Sequence, residues 1–159
     1  MRTAPNAGFT FSELIVVMGI MLVIIGLATI NLLGIQRKPS LASILVLLVT
    51  DLRAQQVKAM TGESGSGTTA SSHGVYFANN YYVIFRGASY DQNNSGNFTV
   101  KLPANIQISQ VTLPGKSAIF IPGSGELSAY EMSRNSLTIT EIGSGETKTV
   151  EINPYGVVN

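Results

Sequence analysis

Cysteine and tryptophan are both absent from this chain of 159 residues. Without cysteine there are no disulfide staples, no thiolate metal sites and no thiol nucleophile, so packing alone must hold the fold together. Charge is scarce as well. Only 12% of residues are Asp, Glu, Lys or Arg, about half the usual share, which disfavours both a solvated charged-helix protein and a highly charged disordered one. The formal net charge is +1 and there is a single histidine. Residues 1–61 carry five basic side chains against Glu13 and Asp51, while the rest carries seven acids against five bases. No stretch concentrates positive charge, so a nucleic-acid partner is not favoured.

What is abundant is apolar sequence, with a mean hydropathy of +0.26. From Leu14 to Ile35 the chain reads LIVVMGIMLVIIGLATINLLGI, without a charge. At about 1.5 Å per residue such a run has the length of a roughly 30 Å hydrocarbon core, so a transmembrane helix is expected. A secretory signal peptide would be shorter and end in a small-residue cleavage site, and no clean one follows Leu33. Arg2 on one side and Arg37 and Lys38 on the other leave the orientation rule nearly balanced. At the entrance to the run stands one acid, Glu13, and a carboxylate at the mouth of an apolar helix needs a partner or must be neutralised. Thr10-Phe11-Ser12-Glu13 also has the spacing of a capping box, in which Thr10 covers the first free amides and Glu13 reaches back.

Gly8-Phe9-Thr10-Phe11-Ser12-Glu13-Leu14 resembles the processing site of type IV prepilins and type II secretion pseudopilins. There, a small residue precedes a phenylalanine and an acid follows four residues later. The resemblance implies a leader, residues 1–8, removed by a prepilin peptidase between Gly8 and Phe9, with N-methylation of the new amine of Phe9. It implies an assembly salt bridge from Glu13 to the N-terminal amine of a neighbouring subunit. The implied partners are the peptidase, other pilin or pseudopilin subunits, an inner-membrane assembly platform and, before assembly, membrane lipid. The implied location is a single-pass protein of the bacterial cytoplasmic membrane with its head on the periplasmic or extracellular side, and then a filament.

Beyond the apolar segment, taken as residues 9–35, Gly34 and Pro39 predict a kink, because proline lacks the amide that would bond back to Ile35 and glycine weakens the same turn. Leu41, Ile44, Leu45, Leu48 and Leu52 then keep a helical spacing, so residues 36–61 read as an amphipathic continuation of one long helix. Residues 62–73, with GESGSGTTASS, read as a flexible linker. Residues 74–159 read as a β-rich head with strands near 74–77, 81–86, 98–102, 106–111, 117–121, 136–142 and 147–153. Asn79-Asn80 marks a hairpin whose asparagines tolerate positive φ. The expected fold class is α+β and pilin-like. One long N-terminal helix, transmembrane in its first half and kinked near Pro39, packs on an antiparallel sheet or small β-sandwich.

Two pieces of the head, Ala118 to Gly125, and Leu137 to Thr140 followed by Lys148 to Gly156, resemble the H-type minor pseudopilins and related minor type IV pilins. The C-terminal cysteine pair of many major pilins is missing here. No enzyme is expected and no cofactor. His73 sits beside Gly74 at the end of the linker, with little packing foreseen to orient a catalytic or metal-binding ring. Gly123-Ser124-Gly125 and Gly143-Ser144-Gly145 match turns and not a nucleophile elbow. Asp91, Asn93 and Ser95 begin like a calcium loop, but Leu102 stands where the bidentate acid belongs, so no metal is expected. A second reading makes the head a membrane-anchored binding module, an adhesin or a competence DNA-binding factor. In it Tyr76, Tyr81, Tyr82, Phe85 and Tyr90 would offer a stacking surface, against the plainer assignment of these rings to core and cross-strand pairs.

Overall fold

The structure, a computed structural model, describes residues 8–33, 40–64 and 69–158. The chain divides into two compact units, Met1–Lys38 and Pro39–Asn159. In the first, α1 (Phe11–Leu33) is a mostly apolar helix with an acid, Glu13, in its first turn. In the second, α2 (Leu41–Met60) precedes seven strands.

The expectation of one long, kinked helix is corrected. Ser40 has an extended backbone (φ −73°, ψ 152°) and its Oγ accepts the Ser43 amide at 3.3 Å, so α2 starts afresh with its own cap instead of continuing α1. Gly34 and Pro39, the expected kink, lie outside the described residues. The transmembrane expectation is corrected too, and with it the single-pass membrane location. Among the described residues no helix is long and apolar enough to cross a membrane. Helix α2 carries Asp51, Arg53 and Lys58.

In the head, α2 buries Leu41, Ile44, Leu48, Leu52, Gln55 and Ala59, a spacing of three and four that keeps one face inward. The strands are β1 (His73–Phe77), β2 (Tyr81–Arg86), β3 (Phe98–Lys101), β4 (Ile106–Val111), β5 (Ser117–Phe120), β6 (Ser136–Glu141) and β7 (Thr147–Glu151). They form two antiparallel sheets, ordered β3-β2-β1-β5 and β4-β6-β7. Val75 faces Ile84 on one side and Ala118 on the other, while Leu137 faces Val111 and Val150. Alternation along the strands turns Val75, Phe77, Ala118, Phe120, Leu137, Ile139 and Val150 into a single core with the apolar face of α2.

The two asparagines of the β1–β2 hairpin do not use positive φ, which among described non-glycine residues occurs only at Lys116 and Ala129. Their carbonyls serve as acceptors. Asn79 O takes the Ile108 amide at 2.8 Å and so ties one sheet to the other, and Asn80 O takes the Leu102 amide at 2.9 Å. On the outer face of the first sheet, Val83 and Phe85 are each 2% exposed, and the segment between β2 and β3 packs on Phe85. Tyr90 of that segment stacks on Tyr76 with ring centres 4.2 Å apart and meets Phe85 at 5.6 Å. Phe85 fits because Gly74 opposite it has no side chain: a Cβ there would lie 2.8 Å from the Phe85 ring and 2.7 Å from Ala118 O.

The C-terminal end returns to α2. Gln56 Nε2 donates to Gly125 O at 3.0 Å and to Tyr155 O at 2.8 Å. Gly156, at φ 75°, passes so close that a Cβ would stand 2.5 Å from both Gln56 Nε2 and Gly125 O.

Candidate functional site

The residues singled out by the processing and assembly motif lie together at the start of α1. Gly8 is exposed, and a Cβ added to it would meet nothing within 4 Å. Phe9 is 86% exposed, so both sides of the peptide bond between them are open to an approaching protein. Glu13 lies in the first turn of the helix. Its Oε2 accepts the Thr10 amide at 2.8 Å and the Thr10 hydroxyl at 2.9 Å, while Thr10 Oγ1 receives the Glu13 amide at 3.4 Å. The capping box therefore forms, and its reciprocal bonds satisfy donors that a helix start leaves free. The Thr10 amide, and after it the Thr10 hydroxyl, hold the Glu13 carboxyl below its ordinary range and keep it ionised.

Around this single charge the helix is apolar on every side. Leu14, Ile15, Val16, Val17, Met18, Ile20, Met21, Leu22, Val23, Ile24 and Ile25 are each more than half exposed. Leu14, Met18, Met21 and Ile25 share one face by their spacing of four, three and four, the pattern of a helix-to-helix seam. Glu13 is the only ionisable side chain of α1.

Elsewhere the structure redraws several sequence-based assignments. His73 does not end a linker. It opens β1, is 4% exposed, and its ring Nε2 lies 2.9 Å from Glu63 O. Asp91, Asn93 and Ser95 are exposed, and Asp91 Oδ1 is occupied as acceptor for the Asn93 amide at 3.0 Å, a local turn bond. Among the described residues, no group of three or more His, Asp or Glu side chains gathers to hold a metal. The aromatic set is split. Tyr82 and Phe85 are buried, and Tyr76 and Tyr90 are stacked on each other, so no continuous row of free rings is left.

One feature escaped the sequence reading. Gln55 is 4% exposed on the inward face of α2. The signal was present, since Gln55 stands three residues after Leu52 and four before Ala59, on the apolar side of the helix. No protein-family model, curated protein or solved structure matches the chain.

Proposed function

We propose that the chain is a structural subunit of a pilin-type or pseudopilin-type filament, trimmed between Gly8 and Phe9 and assembled through α1. The observation that carries this reading is the combination at α1 of a fully apolar, outward-facing surface with one carboxylate in its first turn. Each large apolar side chain left in water forgoes about 1.5–3 kcal/mol of burial. Covering eleven of them with helices of neighbouring subunits removes that cost. Glu13 then faces the new amine of an adjacent Phe9, an ion pair that offsets the desolvation of both charges and fixes the register of one helix against the next. The open peptide bond between Gly8 and Phe9 supports access for a prepilin peptidase. In this reading the work is mechanical, with no catalysis, and the partners are the peptidase, an assembly platform and further subunits. The burial of Tyr82 and Phe85 argues against a stacking platform for single strands.

The test is the N-terminal residue of the protein isolated from its host, read by mass spectrometry. A chain starting at N-methylated Phe9 is expected, and an intact Met1 overturns the reading. Glu13→Ala is expected to be trimmed normally yet to enter filaments poorly or not at all. Normal entry of that variant removes Glu13 from the assembly contact.

A further inference from the structure

We propose that the cavity between the end of α2, the start of β1 and the end of β2 is a binding site for a small carboxylate. This inference is independent of the filament reading. The cavity holds about 130 Å³ and is lined by Gln55 and Lys58 of α2, Glu63, His73 of β1, Arg86 of β2 and Asn94. His73 and Arg86 are opposite one another in the β1–β2 register, which brings both side chains to the same face of the sheet.

Gln55 is the key residue. It is 96% buried and makes no side-chain hydrogen bond among the described residues. It is also not sealed in, because the only fully enclosed side-chain polar atom without a partner among those residues is Asn97 Oδ1. Its amide therefore opens into the cavity. Leucine would suit the same helical position by packing alone, so the amide at Gln55 is available for a polar contact inside the cavity. A ligand that accepts from Nε2 there gains one hydrogen bond, worth about 0.5–1.5 kcal/mol net.

The other groups define what that ligand is. A carbonyl only accepts, so His73 Nε2 donates to Glu63 O and the ring is fixed against the wall. Lys58 Nζ is engaged by Glu63 Oε1 at 3.2 Å. Arg86 has no ion pair among the described residues, leaving one positive charge at the rim. A monoanion matches that balance. The guanidinium fork suits the two oxygens of a carboxylate. The site lies at the carbonyl end of α2, where the helix dipole opposes negative charge, so Arg86 must offset that term for a carboxylate, and a phosphate dianion, opposed about twice as strongly, is disfavoured against it. A cavity of about 150 Å³ holds benzene, so the space takes a carboxylate on a stem of about one to three heavy atoms. This chemistry is shared by free short-chain acids and by an aspartate side chain presented on a peptide.

The experiment titrates the full chain, kept in solution with a mild detergent, with sodium acetate and separately with N-acetyl-aspartyl amide, against sodium chloride at equal ionic strength. Nuclear magnetic resonance follows the Gln55 side-chain amide and the His73 ring. Saturable shifts of both signals with a carboxylate and not with chloride are expected. A response to acetate alone assigns a free acid, and a response to the aspartyl amide extends the site to peptide-borne acids. Arg86→Gln, at an exposed position, should weaken binding about tenfold or more. Gln55→Leu should raise the melting temperature of the unliganded chain and abolish the further rise that acetate gives the native protein. Absence of shifts up to about 100 mM of either carboxylate, well beyond a millimolar Kd, or equal binding by Arg86→Gln, overturns the proposal.

Discussion

Tyr82 is fully buried, and its hydroxyl donates to Asp51 Oδ2 at 2.5 Å, joining β2 to α2. Burial first, then the hydrogen bond and the negative charge of Asp51, holds its proton far above the ordinary tyrosine range. The sign follows from linkage. The native state resists losing this proton while the unfolded chain releases it near pH 10, so the contribution to stability is complete below about pH 10 and declines above it. Spectrophotometric titration should leave Tyr82 protonated after exposed tyrosines have ionised. Tyr82→Phe should lower stability by about 1–2 kcal/mol in denaturant unfolding, since it strands a carboxylate that has lost its donor. The same variant should flatten the alkaline decline. Glu13 behaves in the opposite sense. Its carboxyl is held low by Thr10, so the closure of the first turn of α1 is present above the ordinary glutamate range and is lost as the pH falls below it.

At the scale of elements, Ser40 decides where the head begins. Its Oγ accepts the Ser43 amide and bonds the Ser43 hydroxyl at 2.9 Å, supplying one of the acceptors that a new helix start lacks. Ser40→Ala should cost about 1 kcal/mol in thermal or denaturant unfolding. An unchanged midpoint would show that the cap is dispensable. The strands were legible in the sequence because β-branched and aromatic runs were cut by Pro103, Pro114, Pro122 and paired glycines, and each run found its strand to within two residues at its end. The division between α1 and α2 was not. Leucine spacing resumes beyond Ser40 in phase with a helix, and periodicity records which face is apolar without recording that the backbone restarts. The burial of His73 was equally hidden. It depends on Glu63 O, ten residues earlier, and on β1 pairing with β2 and β5, contacts that no local pattern encodes. The aromatic cluster was half legible: the rings were visible, but only the pairing of Gly74 with Phe85 shows how Phe85 finds room on the outer face of the first sheet.

For the whole molecule, every residue of the main core belongs to the unit that begins at Pro39. A chain starting there should unfold in one cooperative transition and keep the near-ultraviolet signal of its buried aromatics, and a broad, non-cooperative melt would contradict this. The three ion pairs among the described residues, Lys58–Glu63, Arg134–Glu131 and Lys148–Glu146, are all about half exposed, so they add little to that core. The clasp from Gln56 to the carbonyls of Gly125 and Tyr155 joins positions up to 99 residues apart. It gives the head a timetable. A ribosome or a translocating pore that has delivered α2 and the first sheet has not yet delivered the loop that Gln56 grips, and Ile152 and Val158 are still missing from the core. Closure must therefore wait until the segment from Ile152 to Val158 has emerged, and the search for such distant partners makes the last step slow compared with forming α2. During that interval the inward face of α2 is only partly covered, and it is then, more than at any later time, that the chain depends on a chaperone or on speed.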